Sequence, residues 1–281
     1  MLFPENIGEY LSIDEVSLSQ GELFTFVTNK NGKGKKGSLV ASIKGTRTID
    51  IVNVLEKLTL RSRETVKEVT LDMAKNMGSA VKSSFPCCKL VTDRFHVVKL
   101  LIDALQHLRI KLRWKELDLE NEAIEKAKKD KIKYIPQVYS NGDSPKQLLA
   151  RSRHALAKKE INWLSSQKER MTLLFEKYPQ MREMYNHVMK FRNIYEGTNK
   201  LVAREGMENW IKESKENEAK EFNTIAHSIA YNLDNILNFF DNRNTNANAE
   251  SFNSKIKLFR ANLRGVTDTT FFLFRLHHLF A

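Results

Sequence analysis

Short apolar runs closed by polar turns fill residues 8 to 93, whereas long charged amphipathic segments fill residues 95 to about 241. A chain with two such textures cannot be one uniform fold. A period of two builds sheets, a period near 3.6 builds helices, and each pattern buries its own face. In the first region "EYLSIDEVSL" alternates apolar and polar residues around Ile13 and Val16. "ELFTFVTNK" and "GSLVASIKG" follow, joined by "NGKGKKG", a glycine-rich link that suits a hairpin. "TIDIVNVLEKL" sets Ile49, Val52, Leu55 and Leu58 at intervals of three, which predicts a helix with that face inward. "VKEVTLDMA" predicts a strand, "AKNMGSAVKSSF" a helix ended by Pro86, and "CKLVTD" a further strand.

The resulting order, β-β-β-α-β-α-β, is a meander followed by crossover units. It is the order of a ribonuclease-H-like core, an α/β fold with a mixed five-stranded sheet, expected over residues 1–96. Residues 97–241 then form a large all-helical insertion, with "RFHVVKLLIDALQHLRIKLRW", "SPKQLLARSRHALAKKEINWL" and "NTIAHSIAYNLDNILNFF" as its helices. Residues 242–281 return to the core with one more helix, "NANAESFNSKIKLFRANLRG", for which Gly265 is a plausible stop. No fixed-period repeat is present, which argues against a solenoid.

Composition narrows the class. Of 281 residues, 41% are hydrophobic and 28% charged, enough apolar content for a real core. No apolar run is long enough to span a bilayer, and "MLFPENIGEY" lacks the regions of a signal peptide. The adjacent Cys87 and Cys88 cannot form a CxxC-type metal knuckle, so a reducing compartment without structural zinc is expected. A net charge of +12 favours a polyanionic partner.

Three carboxylates carry the chemical argument. Asp14 falls in the first strand, Asp72 at the end of the fourth, where ligands collect, and Glu250 on the final helix. Asn246, Glu250, Asn253 and Lys257 share one polar stripe of that helix, opposite Phe252, Ile256, Phe259 and Leu263. Phosphodiester chemistry needs an in-line nucleophile, a stabilised leaving oxygen and neutralised charge. Two Mg²⁺ ions about 4 Å apart supply all three, held by hard carboxylate oxygens, with Mn²⁺ a plausible substitute. Taken singly, each acid has a plainer reading: Asp14 as an edge residue, Asp72 as a helix cap, Glu250 as a solvated position.

"SIDEVSL", "VTLDMAKNMGSAVKSSFPCCKLVTDRFHVVK" and "NANAESFNSKIK" resemble the DDE transposases of bacterial insertion sequences, specifically the ISL3 family. The resemblance covers nearly the whole chain, by texture more than motif in the helical middle. It implies that Asp14, Asp72 and Glu250 are the catalytic, metal-holding acids. It also implies DNA strand cleavage followed by transfer of the freed 3′-hydroxyl. Asp93 and His96 match a D-x-x-H element downstream of the second acid; a supporting role is expected, against the alternative of a helix cap and a satisfied histidine. Asn246 and Asn253 are expected to support Glu250. Members of the family usually begin with a zinc-binding and helix-turn-helix region. Asp14 follows Met1 too closely for one here, so the DNA-reading part is expected to be lost, truncated, or supplied by a separate N-terminal DNA-binding polypeptide as a partner. Element-end and target DNA, a homodimer and a cytoplasmic, nucleoid-associated bacterial setting complete these expectations. The rival readings are a related ribonuclease-H-like nuclease or resolvase, and a non-catalytic basic DNA-binding remnant.

Lys255, Lys257, Arg260 and Arg264 are the preferred DNA-backbone contacts, since they share the helix of Glu250. Lys33, Lys35 and Lys36 are more simply a solvated hairpin tip. Trp114, Trp163 and Trp210 are expected in the helical core rather than stacked on a base. Glu15, next to Asp14 and on the opposite strand face, is a poor third ligand.

Overall fold

A computed structural model describes residues 1–17, 22–216, 220–243, 247–262 and 268–281; side chains of residues 220, 221 and 247–250 fall outside that description. It divides into two compact units, Met1–Val97 with Tyr231–Ala281, and Val98–Ala230.

The first unit opens with a meander, β1 (Tyr10–Ser17), β2 (Leu23–Asn29) and β3 (Leu39–Lys44). Then come α1 (Thr48–Leu55), α2 (Leu60–Glu64), β4 (Glu68–Leu71), α3 (Lys75–Ser84) and β5 (Lys89–Thr92). Among the described residues the strands form one five-stranded sheet in the order β3-β2-β1-β4-β5. The β1–β2 and β2–β3 pairs are antiparallel, whereas β1–β4 and β4–β5 are parallel. This mixed sheet, with hairpins at one edge and a helical crossover at the other, is a ribonuclease-H-like core.

Strand alternation sorts the sheet into two apolar faces. Leu11, Ile13, Val27, Ala41, Val69 and Leu90 pack with Ile51, Leu55, Met77 and Val81 of α1 and α3. In α1 the inward residues are therefore Ile51 and Leu55, spaced by four, while Ile49 is 57% exposed. Of the face read from the interval of three, Leu55 and Leu58 are buried and Val52 packs against the same core, so only Ile49 departs from it. Ile51 is the inward residue that an interval of three leaves out, because a helix turns every 3.6 residues.

The chain leaves β5 through α4 (Arg94–Lys129), a 36-residue helix whose first turn belongs to the sheet unit. The second unit continues with α5 (Pro145–Arg151), α6 (Arg153–Leu156), α7 (Ser165–Lys177), α8 (Pro179–Ile194), α9 (Lys200–Glu216) and α10 (Lys220–Tyr231). Its core holds Leu148, Leu156, Met171, Met184, Phe191 and Trp210. Trp163 and Trp210 are buried, as expected, and their indole N–H groups donate to Ala155 and His187 carbonyls. Trp114 departs from the expectation: it lies on α4 and is 60% exposed.

The chain returns to the first unit at Tyr231, earlier than the change of texture near 241 suggested. The run read as one helix is broken at Asn232, giving α11 (Leu233–Leu237) and α12 (Phe239–Asn242). These short helices belong with β5, where Asn238 donates to the Leu90 carbonyl and Lys89 pairs with Asp241. Next comes α13 (Ala247–Asn262), and then α14 (Thr269–Phe280), a helix the sequence reading did not separate. Asp268 caps α14 by accepting from the Thr270 and Phe271 N–H groups. Phe252 and Ile256 of α13 join Phe272 and Leu276 of α14 against Val16, Phe24 and Phe26, covering the second face of the sheet.

Candidate active site at the carboxyl ends of three strands

The register of the sheet determines which acids meet. On β1 and β4, Ser12 stands opposite Thr70. Two residues further along each chain come Asp14 and Asp72, on the same face by alternation. On β4 and β5, Leu71 stands opposite Thr92, and the next pair is Asp72 and Asp93. The Asp93 N–H donates to the Leu71 carbonyl at 2.8 Å, extending the ladder to that level. Three aspartates, one within β1 and one just past the end of each of β4 and β5, thus stand at one level on the face that α13 covers.

Asp14 is held from both sides. One carboxylate oxygen accepts the Glu15 N–H at 2.8 Å, and the other accepts Asn253 Nδ2 of α13 at 2.6 Å. Burial raises the Asp14 carboxyl above the usual aspartate range, and the like charge of Asp72 adds to that; the Glu15 N–H, His96 and Asn253 pull the other way. Glu15 is exposed, yet its carboxyl is also raised, by partial burial and then by the charges of Asp72 and Asp14. Three carboxyls therefore share one electrostatic neighbourhood.

Asp72 is not the cap of α3, which begins three residues later with Ala74 at its N-cap. Its Oδ1 accepts the Ala74 N–H at 2.8 Å, so the turn after β4 orients the carboxylate. Asp93 combines the two roles weighed for it. It is buried and precedes α4, accepting the Phe95 N–H through Oδ1 at 3.4 Å. Through Oδ2 it meets His96 Nδ1 at 3.1 Å. His96 keeps about a third of its side chain exposed. The Asp93 hydrogen bond raises the imidazole above its ordinary value, the charges of Asp93, Asp14 and Asp72 reinforce this, and burial opposes it.

One participant could not be read from the sequence. Lys30 follows β2 and looks like one more lysine of a solvated tip, but it is buried. Its ammonium pairs with Glu68 at 3.3 Å and donates to Thr70 Oγ1. Glu68 also accepts from Asn242 Nδ2 at 3.1 Å. Burial lowers the Lys30 ammonium, with Glu68 and Asp93 opposing. A cation thus lies under the row of aspartates, on the same sheet face as Thr70.

The other residues singled out from the sequence fall as follows. Glu250 lies on α13, but its side chain is outside the described residues, as are Asn246 and Arg264 entirely. Lys255 donates to the Gly34 carbonyl at 2.7 Å, which ties α13 to the hairpin tip. Arg260 stacks over Phe272 at 5.8 Å, and Lys257 is exposed.

Asp14 and Asp72 suit a hard divalent cation, being oxygen donors whose mutual repulsion such an ion would relieve. Among the described residues no cluster of three or more His, Cys, Asp or Glu side chains is arranged for a metal, and the Glu250 carboxylate lies outside that set. Nor is any described helix long and apolar enough to cross a membrane.

Comparison of the chain with curated proteins found no match. Comparison with protein families did: residues 11–276, from β1 through most of α14, match the transposase family of ISL3 type. That span includes all three strands of the aspartate row and the asparagine that α13 brings to Asp14, and the chain belongs to the ISL3 family of DDE transposases.

Proposed function

We propose that this chain cleaves DNA at the ends of a mobile element and joins the freed 3′-hydroxyl to target DNA. The observation that carries the reading is the level row of Asp14, Asp72 and Asp93, with Asn253 fixing Asp14. Two Mg²⁺ ions, or Mn²⁺, would be held by Asp14 and Asp72 with Glu250 as the third acid. When bound, such ions neutralise non-bridging phosphate charge and make water a competent nucleophile at neutral pH.

The protein's own groups position the reaction. Asn253 and the Glu15 N–H fix both oxygens of Asp14, and the Ala74 N–H fixes one oxygen of Asp72. Asp93 orients the imidazole of His96 beside the two acids, where it could meet a DNA phosphate. In the first step a water oxygen bonds to phosphorus, the P–O3′ bond breaks, and the 3′-oxygen leaves as a hydroxyl. In the second, that 3′-oxygen attacks a target phosphorus and expels the 3′-oxygen of the target strand. No covalent enzyme–DNA bond is required. Lys257 and Arg260 would hold the strand by its backbone, with no reading of sequence. Pairing of two element ends would fall to a dimer.

The test is strand transfer from precut element-end DNA in Mg²⁺ or Mn²⁺, using the parental chain and Asp72→Ala. Joined products that disappear in the variant are expected. Equal cleavage by both would refute the assignment, and cleavage without joining would favour a nuclease of the same fold.

A further inference from the structure

Beside Asp72, but on the α3 side of the sheet, a cavity of about 170 Å³ opens over the carboxyl ends of β4 and β5. Its walls include Asp72, Lys75, Ser79 and Lys82, with Tyr231 and Asn235 facing them from the start of α11 and the residues before it. We infer that this cleft is a subsite for one unpaired nucleotide of the DNA strand next to the scissile phosphate. Tyr231 would stack on its base, and Lys75 and Lys82 would hold its phosphate. The inference rests on the DNA-processing reading above.

Four features point the same way. The cleft lies outside the carboxyl ends of parallel strands, where ligands of such sheets collect. It is too small for a whole cofactor, since pockets for drug-sized ligands run to roughly 300–1,000 Å³. A fragment the size of one base or one phosphate fits it. Two exposed lysines line it, and Asp72 is its one acid. Finally, Tyr231 is 70% exposed, an unusual setting for so large a ring, and Lys75 Nζ lies 4.7 Å from the ring centroid on one face. Among the described residues no second ring stacks on it. With Lys75 over one face, the other face of the ring is the one on which a base would stack, whatever the sequence, while the lysines meet its phosphate. Because Asp72 borders both this cleft and the aspartate row, a strand cut there would pass its next nucleotide to Tyr231.

Binding can be read in EDTA, without turnover, using the full chain and a duplex whose single-stranded extension carries 2-aminopurine. Stacking on Tyr231 should quench the probe. Tyr231→Ala should abolish the quenching and weaken binding by roughly 5- to 100-fold, and Tyr231→Phe should retain both. Lys75→Ala with Lys82→Ala should reduce the slope of log affinity against log salt by about 1. Unchanged quenching and affinity in Tyr231→Ala would overturn the subsite, as would no binding of the probe at all. Deoxyadenosine monophosphate that binds more tightly than the oligonucleotide would overturn the assignment to a strand. If the parental chain cleaves nothing while quenching still depends on Tyr231, the catalytic reading fails and the subsite stands.

Discussion

The helical unit buries one aspartate fully and the sheet unit half-buries another, and they treat them in opposite ways. In the helical unit Asp143 is fully buried, but Arg170 donates to it at 2.9 Å, Arg151 pairs with it, and Asn141 adds a bond at 3.0 Å. Burial alone would raise its carboxyl; the two arginines outweigh that and hold it below the usual range. In the sheet unit Asp14 is raised by burial and by Asp72, and the compensating bonds do not cancel the shift. A buried acid matched by bonded cations anchors structure, whereas one raised beside a like charge is poised to take up a cation. The same residue type therefore marks a strut in one unit and, on the proposed reading, a reaction site in the other.

The largest expected effect tests the site half of that contrast. Asp72→Asn should cut DNA cleavage by on the order of 10³-fold or more, while the urea midpoint stays level or rises because a repulsive charge is gone. A midpoint that falls with the activity would make Asp72 a strut as well. For the other half, Asp143→Ala should cost about 1–3 kcal/mol, since its hydrogen bonds to Arg170, Arg151 and Asn141 are lost while the arginines stay open to water. Chemical denaturation measures it, and titration of Mg²⁺ into the variant should show affinity unchanged.

Lys30 sharpens the comparison, being a cation buried beneath the aspartate row. Lys30→Ala leaves Glu68 uncompensated and should cost about 3 kcal/mol, whereas Lys30→Met with Glu68→Met should recover most of it. If the double variant regains stability but not cleavage, the pair positions the aspartate row and does more than hold the sheet.

The smallest effect is a pH slope from His277 of α14, whose Nε2 meets Ser42 Oγ at 2.7 Å. Burial lowers its imidazole from the ordinary value to about 4. Between pH 6.5 and 4 the unfolded chain takes up a proton that the folded chain refuses. Stability should therefore fall as pH drops through that window, by at most about 1.4 kcal/mol per unit, and level off below it. His277→Gln should flatten this component in urea titrations at pH 7, 6 and 5.

Several features of the site could be read in the sequence because strands declare themselves by alternation. Asp14 inside "SIDEV" and Asp72 closing "VTLDM" sit where the pattern put them, and "DRFH" did bring an acid and a histidine to one helix start. Asn253 was legible only as a member of a polar stripe on α13; its bond to Asp14 joins residues far apart in the chain. Lys30 gave no signal, because a lysine beside a glycine-rich turn has the same local pattern whether it points into water or under the sheet. Tyr231 read as part of a continuous amphipathic run, and only the break at Asn232 sets it beside α3.

What the sequence determined by itself, then, is the strands, their order, and the two acids placed on the first and at the end of the fourth of them. Backbone hydrogen bonding and the period of apolar residues are local properties, and a single chain carries them in full. Tertiary structure decided where the helices of the second half break, which lysine is buried, and which asparagine reaches Asp14. Those outcomes depend on which surfaces meet, and spacing along one element defines a face without naming the face it will pack against.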